Sequence, residues 1–360
     1  MSFTKTPISE GDYSTLLGMN GGCPESPDGS TIVYARKPNL TESYTEMWVC
    51  DRDLQNHRKV FELYCGNHNG PSASFIDNDR IVFRGGSDIK LPIFYIFNIK
   101  TNKVEWGPIV GKESHCAQQN HFPFSVTEAH IGKNEQYPQI DEVAVYDLDC
   151  DTGEVVKIMS LVEMKNYLEE LGYKTTEYTT AVSHVQYNPI RTAVMMRVGL
   201  ADKDAVLVGY DLVNKEYHLI PNKPVHQLWF DNETYIAVYQ YHDGERWHMD
   251  KSRINRYSMD GEILETLGGI GNHVDFSKDG KYVTGDSMYP DEELKVFLYK
   301  RGQVEPIAEL DSHNFQHCGW KLNVHTNPSF SWDGKRIYFN RPVSEEKATA
   351  MFVDISELIK

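Results

Sequence analysis

Histidines recur in this chain at one position relative to a repeated turn. The clearest copy is the segment HVDFSKDG (273–280), in which an imidazole precedes a short apolar stretch and a Ser-x-Asp-Gly turn. When related segments are aligned at the turn, four of the 14 histidines share that first position: His121, His184, His226 and His273. Asn327 holds it in the last copy, and His68 and His325 lie two positions earlier in theirs. Imidazole nitrogens with an amide oxygen suit a divalent metal of intermediate hardness, such as manganese, zinc or nickel.

The turn explains why the pattern repeats. Its Asp bonds the backbone two residues further on, and its Gly takes the positive φ that closes a short hairpin. Related segments begin near residues 22, 70, 121, 184, 226, 273 and 325, and each carries three or four short apolar strands. Such repeats are typical of β-propellers. We therefore predict an all-β protein, a seven-bladed β-propeller that occupies residues 1–360 as one domain.

Two segments fall outside the repeat. The helical spacing of Leu161, Met164 and Leu168, with Gly172 as a stop, predicts one short helical insertion between blades three and four. It would cover a propeller face or form a wall of a substrate groove. The last repeat ends near residue 355 without a final strand. A strand from within residues 1–18 is expected to complete that blade and close the ring.

The predicted fold brings the histidines together. The inner strand of each propeller blade lines the central channel, so its first residue lies near one channel mouth. Blades six and seven are neighbours, and residues two apart on a strand share a face. His273, His325 and Asn327 are therefore predicted to hold a metal. The structural alternative is that such histidines hydrogen-bond the backbones of neighbouring blades.

Other residues near this mouth suit an acidic sugar. We predict that Arg84, His121 and His226 bind substrate and that His184 takes part in catalysis. The chain has no Gly-x-Ser-x-Gly elbow, which argues against a propeller-capped serine hydrolase. The glycines at 268–271 do not open a helix, which argues against a phosphate loop.

Composition limits the partners and the compartment. A formal net charge of −16 argues against binding the phosphate backbone of nucleic acids. The sequence contains no apolar run long enough for a membrane span or a signal-peptide core. Its six cysteines form no C-x-x-C pair and are expected to be free thiols. These features predict a cytoplasmic protein without nucleic-acid or membrane partners.

Two segments of the chain resemble the oligogalacturonate lyase family, namely 273–280 and the segment from His325 to Phe339. The order of the blades and the segment DLDCDTGEV (147–155) are similar to the same family, so that the resemblance covers most of the chain. Ulvan lyases and related glucuronate-eliminating propellers look like more distant relatives.

The resemblance implies a seven-bladed propeller that cleaves short uronic-acid oligomers by β-elimination with a metal, commonly manganese. The metal neutralises the substrate carboxylate, and a basic side chain takes the proton at C5. In that family, histidines of the last two blades and a glutamine hold the metal. His273 and His325 match two of these ligands. Asn327 stands where another histidine is expected, and Leu322 stands where the glutamine is expected.

The resemblance also implies catalytic residues. Arg197 is the nearest candidate for the arginine base of the oligogalacturonate lyases. Ulvan-lyase-like relatives use a pair of histidines on an early blade. His68 matches the first of them, whereas position 88 is Asp.

The predicted function is a metal-assisted lyase that acts on short acidic oligosaccharides. The alternative, favoured by the departures at Asn327 and Leu322, is a non-catalytic propeller that binds a sugar or a protein partner. A glycosidase that uses one of the histidines at the channel mouth is a third hypothesis.

Overall fold

A computed structural model describes residues 3–18, 21–67, 72–86, 91–113, 117–175, 182–201, 205–221, 224–243, 245, 247–287, 293–314 and 324–359. Within these residues, seven four-stranded antiparallel sheets follow one another along the chain. Each sheet is one blade. The prediction of an all-β, seven-bladed β-propeller is therefore confirmed.

The first four blades take their strands in chain order, from the innermost to the outermost strand. Blade one contains β2 (Ser14–Leu16), β3 (Thr31–Lys37), β4 (Tyr44–Asp51) and β5 (Arg58–Tyr64). Blade two contains β6 (Ser74–Phe75), β7 (Arg80–Gly85), β8 (Ile93–Asn98) and β9 (Lys103–Val110). Blade three contains β10 (Lys112–Glu113), β11 (His121–Val126), β12 (Ala144–Asp149) and β13 (Val155–Ser160). Blade four contains β14 (Val182–Tyr187), β15 (Ala193–Gly199), β16 (Ala205–Asp211) and β17 (Glu216–Ile220).

The last three blades follow the same order, except that blade seven takes its outermost strand from the N-terminus. Blade five contains β18 (Val225–Trp229), β19 (Thr234–His242), β20 (Trp247–Ser258) and β21 (Ile263–Gly268). Blade six contains β22 (Val274–Phe276), β23 (Tyr282–Asp286), β24 (Glu293–Lys300) and β25 (Ala308–Asn314). Blade seven contains β26 (Ser329–Phe330), β27 (Arg336–Pro342), β28 (Ala348–Asp354) and β1 (Lys5–Pro7).

The Ser-x-Asp-Gly turn joins the two innermost strands of a blade. In blade six the Ser277 hydroxyl donates to Asp279 Oδ1 at 2.7 Å, and the Gly280 N–H donates to the Ser277 carbonyl at 2.7 Å. Gly280 has φ of +67°, a conformation that glycine adopts without steric cost. Blade seven repeats the serine–aspartate bond between Ser331 and Asp333 at 2.7 Å. The turn residues therefore fix the register of both hairpins.

The hydrophobic core lies between neighbouring blades. The ring of Phe94 on blade two packs against Phe122 and Phe124 on blade three, with centroids 5.3 and 5.1 Å apart. All three side chains are completely buried. Burial of an aromatic side chain of this kind stabilises the fold by roughly 1.5–3 kcal/mol. Each blade is thus held by the side chains it shares with the next blade.

One α-helix, α1 (Leu161–Glu170), interrupts the described strands. The Ser160 hydroxyl caps it by accepting the Glu163 N–H, and Leu161, Met164 and Leu168 face inward and are buried. The helix packs against β12 and β17, where Tyr167 stacks on Tyr217. The short helical insertion is confirmed, and it covers the junction of blades three and four. No helix within the described residues has both the length and the apolar character needed to cross a membrane.

Blades one and three depart from the sequence alignment. In blade three the innermost strand is β10, and His121 begins the second strand, β11. The inner-strand position predicted for His121 is therefore wrong. Lys112 and Glu113 show no apolar pattern and no turn signature, so the pattern selected the next strand of the blade. In blade one the innermost strand is β2, and the segment after Gly22 meets β3 through the isolated bridge between Glu25 and Ile32.

The ring closes through the N-terminal strand and a buried carboxylate. Lys5, in β1, pairs with Val353 of β28, and its ammonium lies 3.2 Å from Asp311 Oδ1 on blade six. The other oxygen of Asp311 accepts from His313 Nδ1 at 2.9 Å and from Arg341 Nε, on blade seven, at 3.1 Å. These three partners hold the pKa of the Asp311 carboxyl below its usual value although burial opposes this. We call Lys5, Asp311, His313 and Arg341 the closure cluster.

Substitution of Asp311 by Asn tests the closure cluster. The change removes the buried counter-charge of the partly exposed cations Lys5 and Arg341, so we expect the free energy of unfolding at neutral pH to fall by about 2 kcal/mol. A depressed pKa contributes stability above the unfolded value, near pH ~4, and this stability is lost as pH falls through the folded value. The difference between the two proteins should therefore shrink below about pH 4.

Urea unfolding across a pH series measures this difference. The matched control is Asp260→Asn, because the side chain of Asp260 is 85% exposed. A difference that stays constant from neutral to acidic pH would show that the charge of Asp311 does not stabilise the ring.

Candidate functional site

Four histidines from four successive blades form an arc at one mouth of the channel. They are His184 in β14, His226 in β18, His273 just before β22, and His325 before β26. Successive ring centroids are 6.1, 4.5 and 4.8 Å apart. We call these residues the histidine arc and its side of the propeller the histidine face. The opposite side, where the Ser-x-Asp-Gly turns lie, is the turn face.

Irregular backbone turns these side chains toward one another. His184 and His226 have φ of +56° and +54°, and the inner-strand registers of blades four and five shift at these residues. Asn327 holds the equivalent position in blade seven and has φ of +46°. Left-handed backbone at residues other than glycine costs of order 1–3 kcal/mol and is concentrated at functional sites. Its recurrence at one position in three blades marks this mouth as the candidate site.

The centre of the arc is a hydrogen-bonded chain of three groups. Asp286, at the end of β23, accepts from both the backbone N–H and Nδ1 of His273, at 2.7 and 2.8 Å. Since a carboxylate can only accept, Nδ1 of His273 carries a proton, and in the neutral ring Nε2 presents a lone pair. His325 Nδ1 lies 2.9 Å from that Nε2. His273 and Asp286 are both almost fully buried, so the orientation of the His273 ring is fixed.

Backbone and amide groups hold the neighbouring histidines. His226 Nδ1 donates to the Asn272 carbonyl at 2.6 Å, and the Gln240 amide donates to Asn272 Oδ1 at 2.8 Å. On the other side, the Asn340 amide donates to the His325 carbonyl at 3.0 Å. The arc is therefore built on supports from blades five, six and seven, which is the kind of preorganisation that functional sites require.

Asn327 and His325 do not share the face of a strand. The strand β26 begins only at Ser329, and the positive φ of Asn327 breaks the extended geometry that the sequence predicted. The Asn327 amide instead donates to the Gly18 carbonyl at 3.4 Å. Within the described part of the chain, no group of three or more His, Cys, Asp or Glu side chains encloses a metal position. The convergent pair is His273 with His325.

Two predicted cations lie toward the histidine face. Arg197 is near the end of β15, and its strand position pairs with Ser183, the neighbour of His184. It is half-buried, burial lowers its pKa, and it forms no hydrogen bond or ion pair with another described residue. Arg84 is near the end of β7 in blade two, where it pairs with Phe94. Both cations are thus carried by second strands that run toward this face.

The remaining predicted residues lie elsewhere. His121 starts its strand at the turn face, where Nδ1 lies 2.6 Å from Asp147 Oδ2, and it is not brought to the histidine arc. Burial raises the pKa of the Asp147 carboxyl, and the Tyr187 hydroxyl partly offsets this. His68 and Leu322 lie outside the described residues.

Sequence reasoning missed the residues that support the arc. Asp286 was detectable, because the Ser-x-Asp-Gly turn sets the hairpin register: Val274 pairs with Gly285, so His273 must face Asp286. Asn272 and Gln240 gave no such signal, since their contact joins two different blades.

Known proteins resemble this chain in structure but not in sequence. The sequence matches no protein-family profile and no curated protein. Among solved structures, an oligogalacturonate lyase in complex with manganese has a TM-score of 0.65 at 16% identity, covering 99% of this chain and 98% of that chain. An oligogalacturonate lyase from Vibrio parahaemolyticus has a TM-score of 0.65 at 13% identity, covering 99% of this chain and 95% of that chain. A chain of the mitotic checkpoint complex has a TM-score of 0.53 at 11% identity, with coverage of 98% and 92%.

At these identities the likeness establishes the fold. The chain has the propeller architecture of the two oligogalacturonate lyases over nearly its whole length. The resemblance seen in the sequence is thus confirmed at the level of the fold.

The tautomer of His273 tests the central hydrogen-bonded chain. In Asp286→Asn the side-chain oxygen still accepts the backbone N–H, whereas an NH2 group faces Nδ1. We therefore expect the proton of neutral His273 to move from Nδ1 to Nε2. Nitrogen NMR of histidine-labelled protein at about pH 8, where an ordinary imidazole is neutral, reports the tautomer.

The control is Asp147→Asn, which removes the carboxylate next to His121. It should alter the signals of His121 and leave those of His273 unchanged. Retention of the Nδ1–H tautomer in Asp286→Asn would mean that Asp286 does not set the orientation of His273.

Proposed function

We propose that this protein is a metal-assisted lyase that cleaves short uronic-acid oligosaccharides by β-elimination. The observation that carries the proposal is the pair of ring nitrogens, His273 Nε2 and His325 Nδ1, that face each other at 2.9 Å. Asp286 behind His273 completes the carboxylate–histidine arrangement that orients imidazole ligands in metal sites. The likeness to a lyase solved with manganese supports the same assignment.

The residues present fit a divalent metal of intermediate hardness. His273 and His325 would hold it, and manganese is the metal proposed, with zinc and nickel as alternatives. A metal at this site would neutralise the substrate carboxylate and make the proton at C5 more acidic. Water or substrate oxygens would complete its coordination.

The chain's own residues would then carry out the elimination. The reaction removes the proton at C5, forms a double bond between C4 and C5, and expels the C4 oxygen, which takes up a proton. Arg197 is the proposed base. A guanidinium holds its proton strongly, so this role requires an environment that lowers its pKa. Burial without a partner among the described residues has that effect on Arg197. The neighbouring His184 is the proposed donor of the second proton.

The substrate class follows from charge at the histidine face. The protein as a whole has a net charge of −16, so an anionic substrate needs local cations to approach it. Arg84 and Arg197 lie toward this face, and His226 stands in the arc. We propose that Arg84 and His226 bind uronate groups on either side of the cleaved bond. His121 is not part of this proposal because it lies at the turn face.

A second candidate is a non-catalytic propeller that binds an acidic sugar at the same mouth. The observation that favours it is the residue type at position 327. The amide of Asn327 donates to the Gly18 carbonyl at 3.4 Å, so this position adds no imidazole to the pair of His273 and His325. Metal binding separates the two candidates, because a binding propeller requires none.

Formation of an unsaturated uronate tests the lyase. Purified protein incubated with digalacturonate and other acidic oligosaccharides should release a product with the ultraviolet absorbance of a conjugated uronate. Manganese should support this activity and a chelator should remove it. His273→Ala should lower the rate by ~100-fold or more, since it removes a proposed ligand.

The matched control for this assay is His218→Ala, which removes a histidine from the outer strand of blade four and should retain full activity. No product with any acidic oligosaccharide would refute the lyase and leave the sugar-binding propeller.

Calorimetric titration with manganese tests the ligand pair without any substrate. His273→Ala and His325→Ala should each abolish binding. Asp286→Asn should weaken it by ~10–100-fold, because the carboxylate orients the ligand without touching the metal. His218→Ala should bind manganese as the unchanged protein does. Equal binding by all four variants would place any metal away from the histidine arc.

A further inference from the structure

A cavity lies at the end of the channel opposite the histidine arc. It has a volume of about 330 Å³ and opens on the turn face. All seven blades contribute to its wall, among them Ser74, Gln186, Asp275 and Trp332. Cavities of this size lined mainly by apolar and aromatic groups, with a few polar atoms, are typical of small-molecule sites. Neither the elimination chemistry nor the histidine arc uses it.

The aromatic side chains of the wall are held in place. Trp229 Nε1 donates to the Gln186 carbonyl at 3.2 Å, and Trp332 Nε1 donates to the Glu25 carbonyl at 2.9 Å. Phe276 packs on Phe230, with centroids 4.9 Å apart. These contacts tie each ring to a neighbouring blade. The cavity is therefore a preformed aromatic pocket that a ligand can enter without reordering its rings.

One carboxylate lies in this aromatic wall. Asp275 Oδ2 accepts the Phe330 N–H at 2.7 Å, which fixes the side chain between blades six and seven. It is the one acidic residue among the described residues that line the cavity. The Ser74 hydroxyl on blade two also lines the cavity, is 4% exposed and has no hydrogen-bond partner among the described residues. A buried hydroxyl without a partner is costly, so its presence indicates a ligand group or water beside it.

The chemistry of the wall selects the charge of the ligand. Aromatic faces attract cations, and a carboxylate among them strengthens this attraction. An anion would be repelled by Asp275 and by the net charge of −16. A neutral sugar needs several hydrogen-bonding groups, yet the Gln186 amide is already bonded to the Gln227 carbonyl at 2.8 Å. Lys278, the one Lys or Arg among the described lining residues, is exposed to solvent, whereas Asp275 is partly buried among the rings. The wall therefore fits a small ligand with an apolar body and a positive charge.

We propose that the turn-face cavity binds a small organic ammonium compound, with its cationic group between Asp275 and the aromatic rings. The site is separate from the histidine arc and does not depend on the lyase assignment. Its test uses binding as the readout, so a failure of either proposal leaves the other one standing.

Tryptophan fluorescence measures binding, because Trp229 and Trp332 form part of the wall. The probes are choline and its neutral isostere, in which a carbon atom replaces the quaternary nitrogen. At about pH 8, choline should change the emission in a saturable way. The isostere should bind at least ~10-fold more weakly, because it lacks the charge that the rings and Asp275 attract.

Three variants define the role of Asp275. Asp275→Asn keeps the shape and the acceptor for the Phe330 N–H, and it should weaken choline binding at least ~10-fold. The control Asp260→Asn removes the same charge from an exposed position outside the cavity and should bind choline normally. Lys278→Glu replaces an exposed cation of the cavity wall and should tighten binding by ~3-fold or more.

Equal binding of choline and its isostere, or normal binding by Asp275→Asn, would overturn the proposal. Absence of a saturable signal would overturn it too. Lys278→Glu keeps the test decisive if Asp275→Asn does not fold, since unchanged or weaker binding by that variant would refute a cationic ligand.

Discussion

Closure of the ring is the constraint on which the candidate site depends. The four histidines of the arc come from four separate blades, so their spacing is set by the ring and by no single sheet. His325 belongs to blade seven, whose outermost strand is the N-terminal β1. The closure cluster holds that strand, because Asp311 on blade six bonds both Lys5 and Arg341.

The side chain of Asn340 links the closed ring to the histidine arc. The Asn340 amide donates to the His325 carbonyl, while its oxygen accepts the Leu17 N–H at 2.7 Å. One side chain thus joins the last blade, the N-terminal segment and the arc. A loss of closure would therefore move His325 relative to His273. The stability of the ring and the activity of the candidate site are therefore coupled, because a misplacement of ~1 Å at a preorganised site lowers its activity.

The fold could be predicted from the sequence because the turn repeats, while much of the site could not. The Ser-x-Asp-Gly turn is a local device whose residues fix its own hydrogen bonds, so blades six and seven were located correctly. The strand β10 consists of Lys112 and Glu113 and carries no such device, so the alignment assigned His121 to the wrong strand. The contact of Asn272 with Gln240 joins two blades and leaves no spacing in the sequence. The left-handed backbone of His184 and His226 could not be predicted either, because a histidine in the sequence does not by itself indicate a positive φ.

The carboxylates at the two ends of the channel have opposite surroundings: Asp286 is almost fully buried, whereas Asp275 is partly buried. On the histidine face, Asp286 is matched by an imidazole N–H and a backbone N–H of the same residue, and it serves to orient a ring. On the turn face, Asp275 is offset only by the backbone N–H groups of Phe330 and Phe276, and burial raises its pKa to about 7. A carboxylate satisfied by a neighbouring imidazole shapes that neighbour, whereas one left without a cation favours a proton or a positively charged ligand. The hairpin of β22 and β23 therefore presents a positioning group, Asp286, at one mouth and a charge-selective group, Asp275, at the other.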